Sequence, residues 1–193
     1  MRLGRIEVSK QNIVFMWESM AVLFMVIVGS LLHFAFEWSG RSRFVGIFSA
    51  VNESVWEHLK LGFWSLVFYS LIEYGFIQDR VNNFLVGKAI GLLALDLFIV
   101  AVFYSYTALI GRHIVAVDIG IYVTGCLICQ VISYRFLTVP TFRREWQVLC
   151  GLLLMALMVI KGIFTFWPPR LPLFRDSLTG GYGVYGESSQ REQ

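Results

Sequence analysis

Long apolar stretches alternate with short polar hinges along almost the whole chain. Five stretches approach or exceed the roughly 20 apolar residues that an α-helix needs to cross a bilayer. The pattern therefore predicts an all-α fold, a polytopic membrane helix bundle of about five spans. The predicted spans lie at about 13–36, 59–77, 84–110, 114–136 and 146–167.

The segment 38–57 departs from this pattern. It mixes Gly, Ser, Arg and Asn with apolar side chains, and it is too short and too polar to cross a bilayer independently. Three interpretations stay open: an interfacial helix, a re-entrant loop, or the start of a long second helix. Insertion of this segment would raise the number of spans to six.

The last apolar stretch ends in a proline-rich and then a glycine-rich segment. Pro168, Pro169 and Pro172 stop the helix and favour extended backbone. The glycines that follow permit tight turns. We therefore expect a single transmembrane bundle over residues 1–186, which includes an ordered C-terminal segment, and a disordered polar tail over residues 187–193.

Composition identifies lipid as the main solvent of the chain. Hydrophobic residues make up 57% of the sequence and charged residues 15%, whereas a soluble domain carries about 25% charged residues. The net charge of +3 comes from scattered basic residues rather than a basic tract, which argues against a nucleic-acid partner. The expected partner is the lipid bilayer, with a second copy of the chain or another membrane protein as further candidates.

The distribution of Lys and Arg predicts the orientation by a narrow margin. With five spans and the N-terminus inside, eight basic residues fall in inside segments and seven in outside segments. The positive-inside rule then favours a cytoplasmic N-terminus. The expected location is the cell membrane, that is, the inner or cytoplasmic membrane.

Ionisable side chains concentrate at the end of the first span and just before the second. His33 and Glu37 are four residues apart and share one helical face. If the first two spans pair as an antiparallel hairpin, Glu53, Glu57 and His58 converge with them at one membrane face. Imidazole and carboxylate ligands suit zinc or another divalent transition metal, such as iron or manganese. We assign His33, Glu37 and His58 as candidate metal ligands, and Glu53 and Glu57 as candidate catalytic groups.

His113 is a weaker candidate for the same metal. It follows an even number of predicted crossings after His58, so it falls on the same membrane face. The competing interpretation of the whole cluster is a structural polar network. In that interpretation Glu57 and Lys60, for example, form an ordinary pair along one helix.

Further polar residues lie inside the predicted spans, where ionisable groups are costly and usually face the bundle interior. They predict an intramembrane polar network that acts in function or in packing. Its candidate members are Glu73, Asp96, Asp118, Gln130 and Lys161.

Three sequence blocks carry a resemblance to a known family. They are the HFAFEWSG block at 33–40, the NESVWEHLK block at 52–60, and the PPRLPLFRD block at 168–176, which leads into TGGYG at 179–183. In these blocks and in its hydropathy layout the chain resembles an uncharacterised family of small multi-pass membrane proteins of bacteria and archaea. The resemblance implies a fold and a membrane location but no activity. It also gives no firm match at His113, which weakens any site that requires all three histidines.

Three classes of function remain open from the sequence. The first is a metal-dependent membrane enzyme that acts on a lipid-like substrate, for which the histidine and glutamate cluster is the motivating feature. The second is a small transporter, or a membrane subunit of a transport complex, which would use the intramembrane polar network. The third is an assembly factor without chemistry of its own, whose aromatic C-terminal segment docks on a partner.

Overall fold

The computed structural model describes residues 2–184, with side chains described from Lys10 onwards. Helices make up most of this part of the chain, and single 3-10 turns occur at Gln78–Arg80 and Pro172–Phe174. The predicted all-α fold is confirmed. The predicted tail at 187–193 lies outside the described residues. The helices are α1 (Arg2–Trp38), α2 (Arg43–Gly46), α3 (Val55–Ile77), α4 (Phe84–Ile110), α5 (Val115–Thr138) and α6 (Arg144–Phe166).

Four helical segments are long and apolar enough to cross a membrane, and each corresponds to a predicted span. They are Lys10–Trp38, Phe84–Ile110, Val115–Thr138 and Arg144–Phe166. The remaining predicted span, 59–77, falls in α3. This helix has 23 residues, which is sufficient length, but it is not among the four apolar helices. A crossing by α3 therefore stays a prediction.

The segment 38–57 contains no further spanning helix. After α1 ends at Trp38, Gly40 and Arg41 adopt left-handed backbone conformations and turn the chain. The four residues of α2 rise only about 6 Å along their axis, far less than a bilayer requires. α3 then begins at Val55, so only the last residues of the segment belong to the second long helix.

The described chain divides into two compact units. The first unit comprises residues 2–26 and Ser65–Leu154, and the second comprises Ile27–Trp64 and residues 155–184. α1, α3 and α6 contribute residues to both units. The expectation of a single bundle over residues 1–186 remains a prediction.

In the first unit, α4 packs closely against α5. A Cβ atom added to Gly91 would lie 2.6 Å from the backbone oxygen of Cys129, so only glycine permits this approach. A Cβ atom added to Gly87 would likewise lie 3.1 Å from the backbone oxygen of Ser133. Small residues of this kind are how membrane helices bring their backbones together. The first unit also contains an apolar cluster of Val14, Ile77, Phe84 and Leu137, which is almost completely buried.

The first unit also has a polar junction at Asn83, just before α4. Its side-chain amide donates hydrogen bonds to the backbone oxygens of Phe136 (3.1 Å) and Pro140 (3.0 Å). Its side-chain oxygen accepts one from the backbone N–H of Phe142 at 2.7 Å. One buried amide thus satisfies several backbone groups at the end of α5, where the helix leaves its own carbonyls unpaired.

In the second unit, the chain after α6 folds back as an ordered loop, residues 168–184, here called the C-terminal loop. The backbone N–H of Asp176 donates to the backbone oxygen of Gly181 at 2.9 Å. The backbone N–H of Val184 donates to the backbone oxygen of Thr165 at 3.2 Å. Gly180 has a φ of +73°, which other residues rarely adopt. Phe174 anchors the loop by packing its ring 4.7 Å from that of Trp56.

Candidate metal site

Three side chains of the second unit converge with metal-ligand chemistry. His33, Glu53 and His58 each offer one ligand atom, and these three atoms lie within 4.8 Å of one another. The Glu53 Oε2 atom lies 3.6 Å from His33 Nε2 and 3.5 Å from His58 Nε2. We refer to this group as the His–Glu–His site.

Each of the three side chains comes from a different local structure. His33 lies on α1, five residues before the end of that helix, and His58 lies in the first turn of α3. Glu53 lies in the connection between α2 and α3. The left-handed turn at Gly40 and Arg41 reverses the chain after α1. This is why residues separated by 20 or more positions can meet.

The orientation of the His58 ring is fixed through Nδ1, the ring nitrogen that faces away from Glu53. His58 Nδ1 lies 2.8 Å from the backbone oxygen of Ser54. A proton on Nδ1 would satisfy that carbonyl and leave Nε2 as the basic atom towards Glu53. Metal-binding histidines are commonly held in this way by a backbone carbonyl.

The C-terminal loop holds the backbone of Glu53 from both sides. The Glu53 N–H donates to Asp176 Oδ1 at 3.3 Å. In return, the Ser177 hydroxyl donates to the Glu53 carbonyl oxygen at 3.0 Å, and the Ser177 N–H donates to it at 3.4 Å. Asp176 is itself only 4% exposed and also accepts a hydrogen bond from Leu178 N–H at 3.1 Å. The loop therefore positions Glu53, although more than 120 residues separate them in sequence.

The geometry and the exposure of the site both suit a bound metal. Zinc with bonds of about 2.0–2.1 Å and tetrahedral angles keeps its ligand atoms roughly 3.3 Å apart, close to the two distances from Glu53. The side chains of His33, Glu53 and His58 are 28%, 38% and 39% exposed, so the site is open at the surface of the protein. Two histidines and one glutamate also form a known catalytic zinc set that leaves one position open.

Two other predicted members of this cluster lie elsewhere in the second unit. Glu37 pairs with Arg41, with its Oε1 3.0 Å from the guanidinium, and is 60% exposed. Glu57 is buried and pairs with Lys60 at 2.6 Å, and it accepts a hydrogen bond from Val51 N–H at 3.0 Å. The structure therefore brings together three of the five residues that the sequence groups. The glutamate beside the histidines is Glu53, which the sequence assigns to catalysis, rather than Glu37.

His113 belongs to the first unit and is not a member of the site. Its Nδ1 lies 3.3 Å from Asp118 Oδ2, and the hydroxyl of Tyr106 donates a short hydrogen bond to the same carboxyl group. Tyr106 in turn accepts from the backbone N–H of Ile114 at 3.1 Å. These contacts tie the connection between α4 and α5 to the ends of both helices.

The residues of the predicted intramembrane network are divided between the two units. Glu73 is fully buried in the first unit, in an ion pair with Lys88. Gln130 is buried in the same unit and its amide contacts the Met25 sulfur at 3.0 Å. Asp96 is half-buried on α4. Lys161 belongs to the second unit, where its ammonium lies 4.7 Å from the centre of the Trp56 ring.

The sequence prediction omits two buried charges that the structure places beside Glu73. Glu18 on α1 is 3% exposed and Lys88 on α4 is 2% exposed. Both lie within predicted apolar spans, so the signal was a charged residue in an apolar stretch. Lys88 lies only four residues into its helix, where a lysine often extends to the membrane surface. Its position in the sequence therefore did not indicate that Lys88 is buried.

The fold and its apolar helices define a multi-pass α-helical membrane protein. The sequence matches a family of unknown function, DUF6512, over residues 6–184. This match covers nearly the whole chain, so the protein belongs to that family. No curated protein and no solved structure matches the chain.

Proposed function

We propose that the His–Glu–His site binds a divalent transition metal, with zinc as the first candidate, and that the protein is a metal-dependent membrane enzyme. The carrying observation is the convergence of His33, Glu53 and His58, whose ligand atoms lie within 4.8 Å of one another. Such a ligand set favours zinc through its mixture of imidazole and carboxylate groups.

The proposed chemistry is hydrolysis. His33, Glu53 and His58 would hold the metal and leave one position open, and the bound metal would supply an acidified water and a Lewis acid for hydrolysis. In this proposal Glu53 is a ligand. Glu57 does not act as a base, because its carboxylate is buried against Lys60.

A lipid-like substrate is favoured by the surroundings of the site. His33 lies about 7.5 Å along the helix axis from Trp38, the last residue of α1, whose side chain is 69% exposed. Trp167, just after α6, is 71% exposed. Exposed tryptophans at the ends of apolar helices are typical of the membrane–water interface, where lipid headgroups lie. We propose that the site acts at that level, in the cell membrane.

The test is metal analysis of the detergent-purified full chain. Wild type, the double variant His33→Ala/His58→Ala and the control His113→Ala are each purified without added chelator. The expected result is about one metal ion per chain in wild type and in His113→Ala, and a loss in the double variant. A well-folded wild type without metal, even after incubation with zinc, would reject the metal site.

Activity is tested separately from binding. The zinc-loaded and the chelator-treated proteins are incubated with a total lipid extract, and products are compared by mass spectrometry. Hydrolysis products that depend on zinc and on His58 support the enzyme. Stoichiometric zinc without any product would leave a metal site with a structural role and reject the enzyme.

The second candidate function is transport, alone or as a membrane subunit of a transport or assembly complex. The observation that favours it is the pair of buried ions Glu73 and Lys88, which lie 2.6 Å apart. Charged groups inside a membrane protein often mark ion or proton pathways. Reconstituted vesicles with a pH-sensitive dye test this candidate. A proton flux that is present in wild type and in His113→Ala but lost in Glu73→Gln would support it. Equal fluxes in these three proteins would reject it.

A further inference from the structure

Three ionisable side chains of the first unit meet in its buried interior, independently of the metal site. Lys88 Nζ lies 2.9 Å from Glu18 Oε1 and 2.6 Å from Glu73 Oε2. The three side chains come from α1, α3 and α4, and none is more than 3% exposed. The hydroxyl of Ser133 on α5 donates to the same Glu18 oxygen at 3.0 Å. We call Glu18, Glu73 and Lys88 the buried triad.

The buried triad carries more negative than positive charge. If both carboxyl groups were ionised and Lys88 were protonated, its net charge would be −1. Tyr69 on α3 and Cys129 on α5 also interact with it, and both are ordinarily neutral at neutral pH. Asp96, further along α4, also interacts with Cys129 and would only add negative charge. None of these side chains supplies the missing positive charge.

The two carboxyl groups also have hydrogen-bonding capacity that the described residues leave unused. Within the described part of the chain, Glu18 Oε2 and both carboxyl oxygens of Glu73 are buried and have no hydrogen-bond partner, although Glu73 Oε2 is ion-paired with Lys88. Buried polar atoms are normally paired, and an unpaired one points to a missing partner. The two carboxyl groups lie close to each other, because one oxygen of each is within 3 Å of the same Lys88 nitrogen. A single hydrogen on one of them would let it donate to the other.

We propose that the buried triad binds one proton, shared between Glu18 and Glu73, in the resting protein at neutral pH. The proton removes the excess charge and supplies the donor that the two carboxyl oxygens lack. Two carboxyl groups that share a buried site usually cannot both ionise, and one of them keeps its proton. The inference concerns proton binding alone and stands whether or not the chain transports anything.

A proton fits this site better than an alkali cation does. One oxygen of each carboxyl group is already within 3 Å of the Lys88 ammonium. A metal cation placed between the same carboxyl groups would lie beside that ammonium and be repelled by it. A hydrogen bonded to one carboxyl oxygen occupies almost no volume and neutralises that group without placing a second cation beside Lys88.

The test is infrared spectroscopy of the full chain in detergent at neutral pH, recorded in water and in heavy water. A protonated carboxyl group has a carbonyl stretching band that ionised carboxylates lack, and the band shifts in heavy water. Wild type is compared with Glu18→Gln and Glu73→Gln, and with Glu145→Gln as the control. Glu145 is exposed at the start of α6, so its removal leaves the triad unchanged.

The expected result is a carboxylic acid band in wild type and in Glu145→Gln that is lost in both triad variants. Each triad variant leaves one glutamate, which then pairs with Lys88 in its ionised form. Because glutamine imitates a protonated glutamate in shape and charge, at least one of the two variants should fold. If one does not fold, the other decides. A folded triad variant that keeps the band would overturn the proposal, as would failure of both variants to fold.

Exchange of sodium for choline in the buffer tests the competing ion. The proposal expects the same band in both buffers. A band that appears only when sodium is removed would show that an alkali cation occupies the site, and would overturn proton binding.

Discussion

The buried triad and the His–Glu–His site differ in their exposure and in the ionisable groups that they combine. Both consist of three ionisable side chains, and α1 contributes one to each, Glu18 and His33. The triad is at most 3% exposed and includes its own cation, Lys88. The site is 28–39% exposed and consists of two imidazoles and one carboxylate. The buried group contains its own counter-ion, and we propose that the half-exposed group takes its cation from outside the protein.

The largest effect that follows from this comparison is expected at Lys88. Lys88→Met leaves two buried carboxyl groups without their cation. Removal of one partner from a buried ion pair costs about 3–5 kcal/mol, so we expect a loss of that size in the free energy of unfolding, measured by denaturant titration in detergent. Lys10→Met, at an exposed position of α1, should change it by less than about 0.5 kcal/mol. Equal stabilities of the two variants would show that the triad is not a buried charged group.

The second effect concerns the loop that positions Glu53. Asp176→Asn weakens the acceptor for the Glu53 N–H, so the ligand is held less firmly. Changes in the residues that orient metal ligands typically reduce metal affinity about 10–100-fold, and we expect a loss in this range in a zinc competition titration. Asp79→Asn, exposed in the 3-10 turn after α3, is the matched control. An affinity equal to that of wild type would show that the C-terminal loop does not support the site.

The third effect separates packing in the first unit from chemistry in the second. Gly91→Ala places a methyl group 2.6 Å from the Cys129 backbone oxygen, and overpacking of this kind costs about 1–3 kcal/mol. Gly120→Ala on α5 meets no atom within 4 Å and should be neutral or slightly stabilising, because alanine favours a helix over glycine. Thermal unfolding distinguishes the two variants. We expect the zinc affinity of Gly91→Ala to equal that of wild type; a zinc affinity that falls along with the stability would contradict the separation of the two regions.

The smallest effect is expected on the stability of the metal-free His–Glu–His site. Without zinc, His33→Ala/His58→Ala should unfold within about 0.5 kcal/mol of wild type, because half-exposed polar side chains contribute little. Addition of zinc should raise the melting temperature of wild type alone, since only a protein that binds a ligand is stabilised by it. A large loss of stability in the metal-free variant would mean that the histidines act in packing.

The helices were predictable from sequence because a helix surrounded by lipid must be long and apolar. Lipid requires long apolar stretches, and four of the predicted stretches coincide with helices of the required length and hydropathy. α3 is the exception in hydropathy, because Glu57, Lys60 and Glu73 all lie on it. Each of these three charges is buried. Hydropathy alone cannot show where such a helix places its charges.

The candidate site was predictable in its residue types but not in its membership. Helical spacing suggests that Glu37 joins His33, yet the chain turns at Gly40 and Arg41, and Glu37 pairs with Arg41 instead. Glu53 replaces it because Asp176 and Ser177, distant in sequence, hold its backbone. Long-range contacts of this kind leave no periodic signal in a single sequence.

The most direct test of the metal site compares two glutamates. Glu37 is close to His33 in sequence, whereas Glu53 is close to both histidines in space. Zinc affinity is measured by competition with a chromophoric chelator for wild type, Glu53→Gln and Glu37→Gln, all as full chains in detergent. The account predicts that Glu53→Gln loses about 10-fold or more in affinity, since a carboxylate ligand is removed, while Glu37→Gln binds zinc as wild type does. Equal affinities for wild type and Glu53→Gln, or a loss confined to Glu37→Gln, would contradict it.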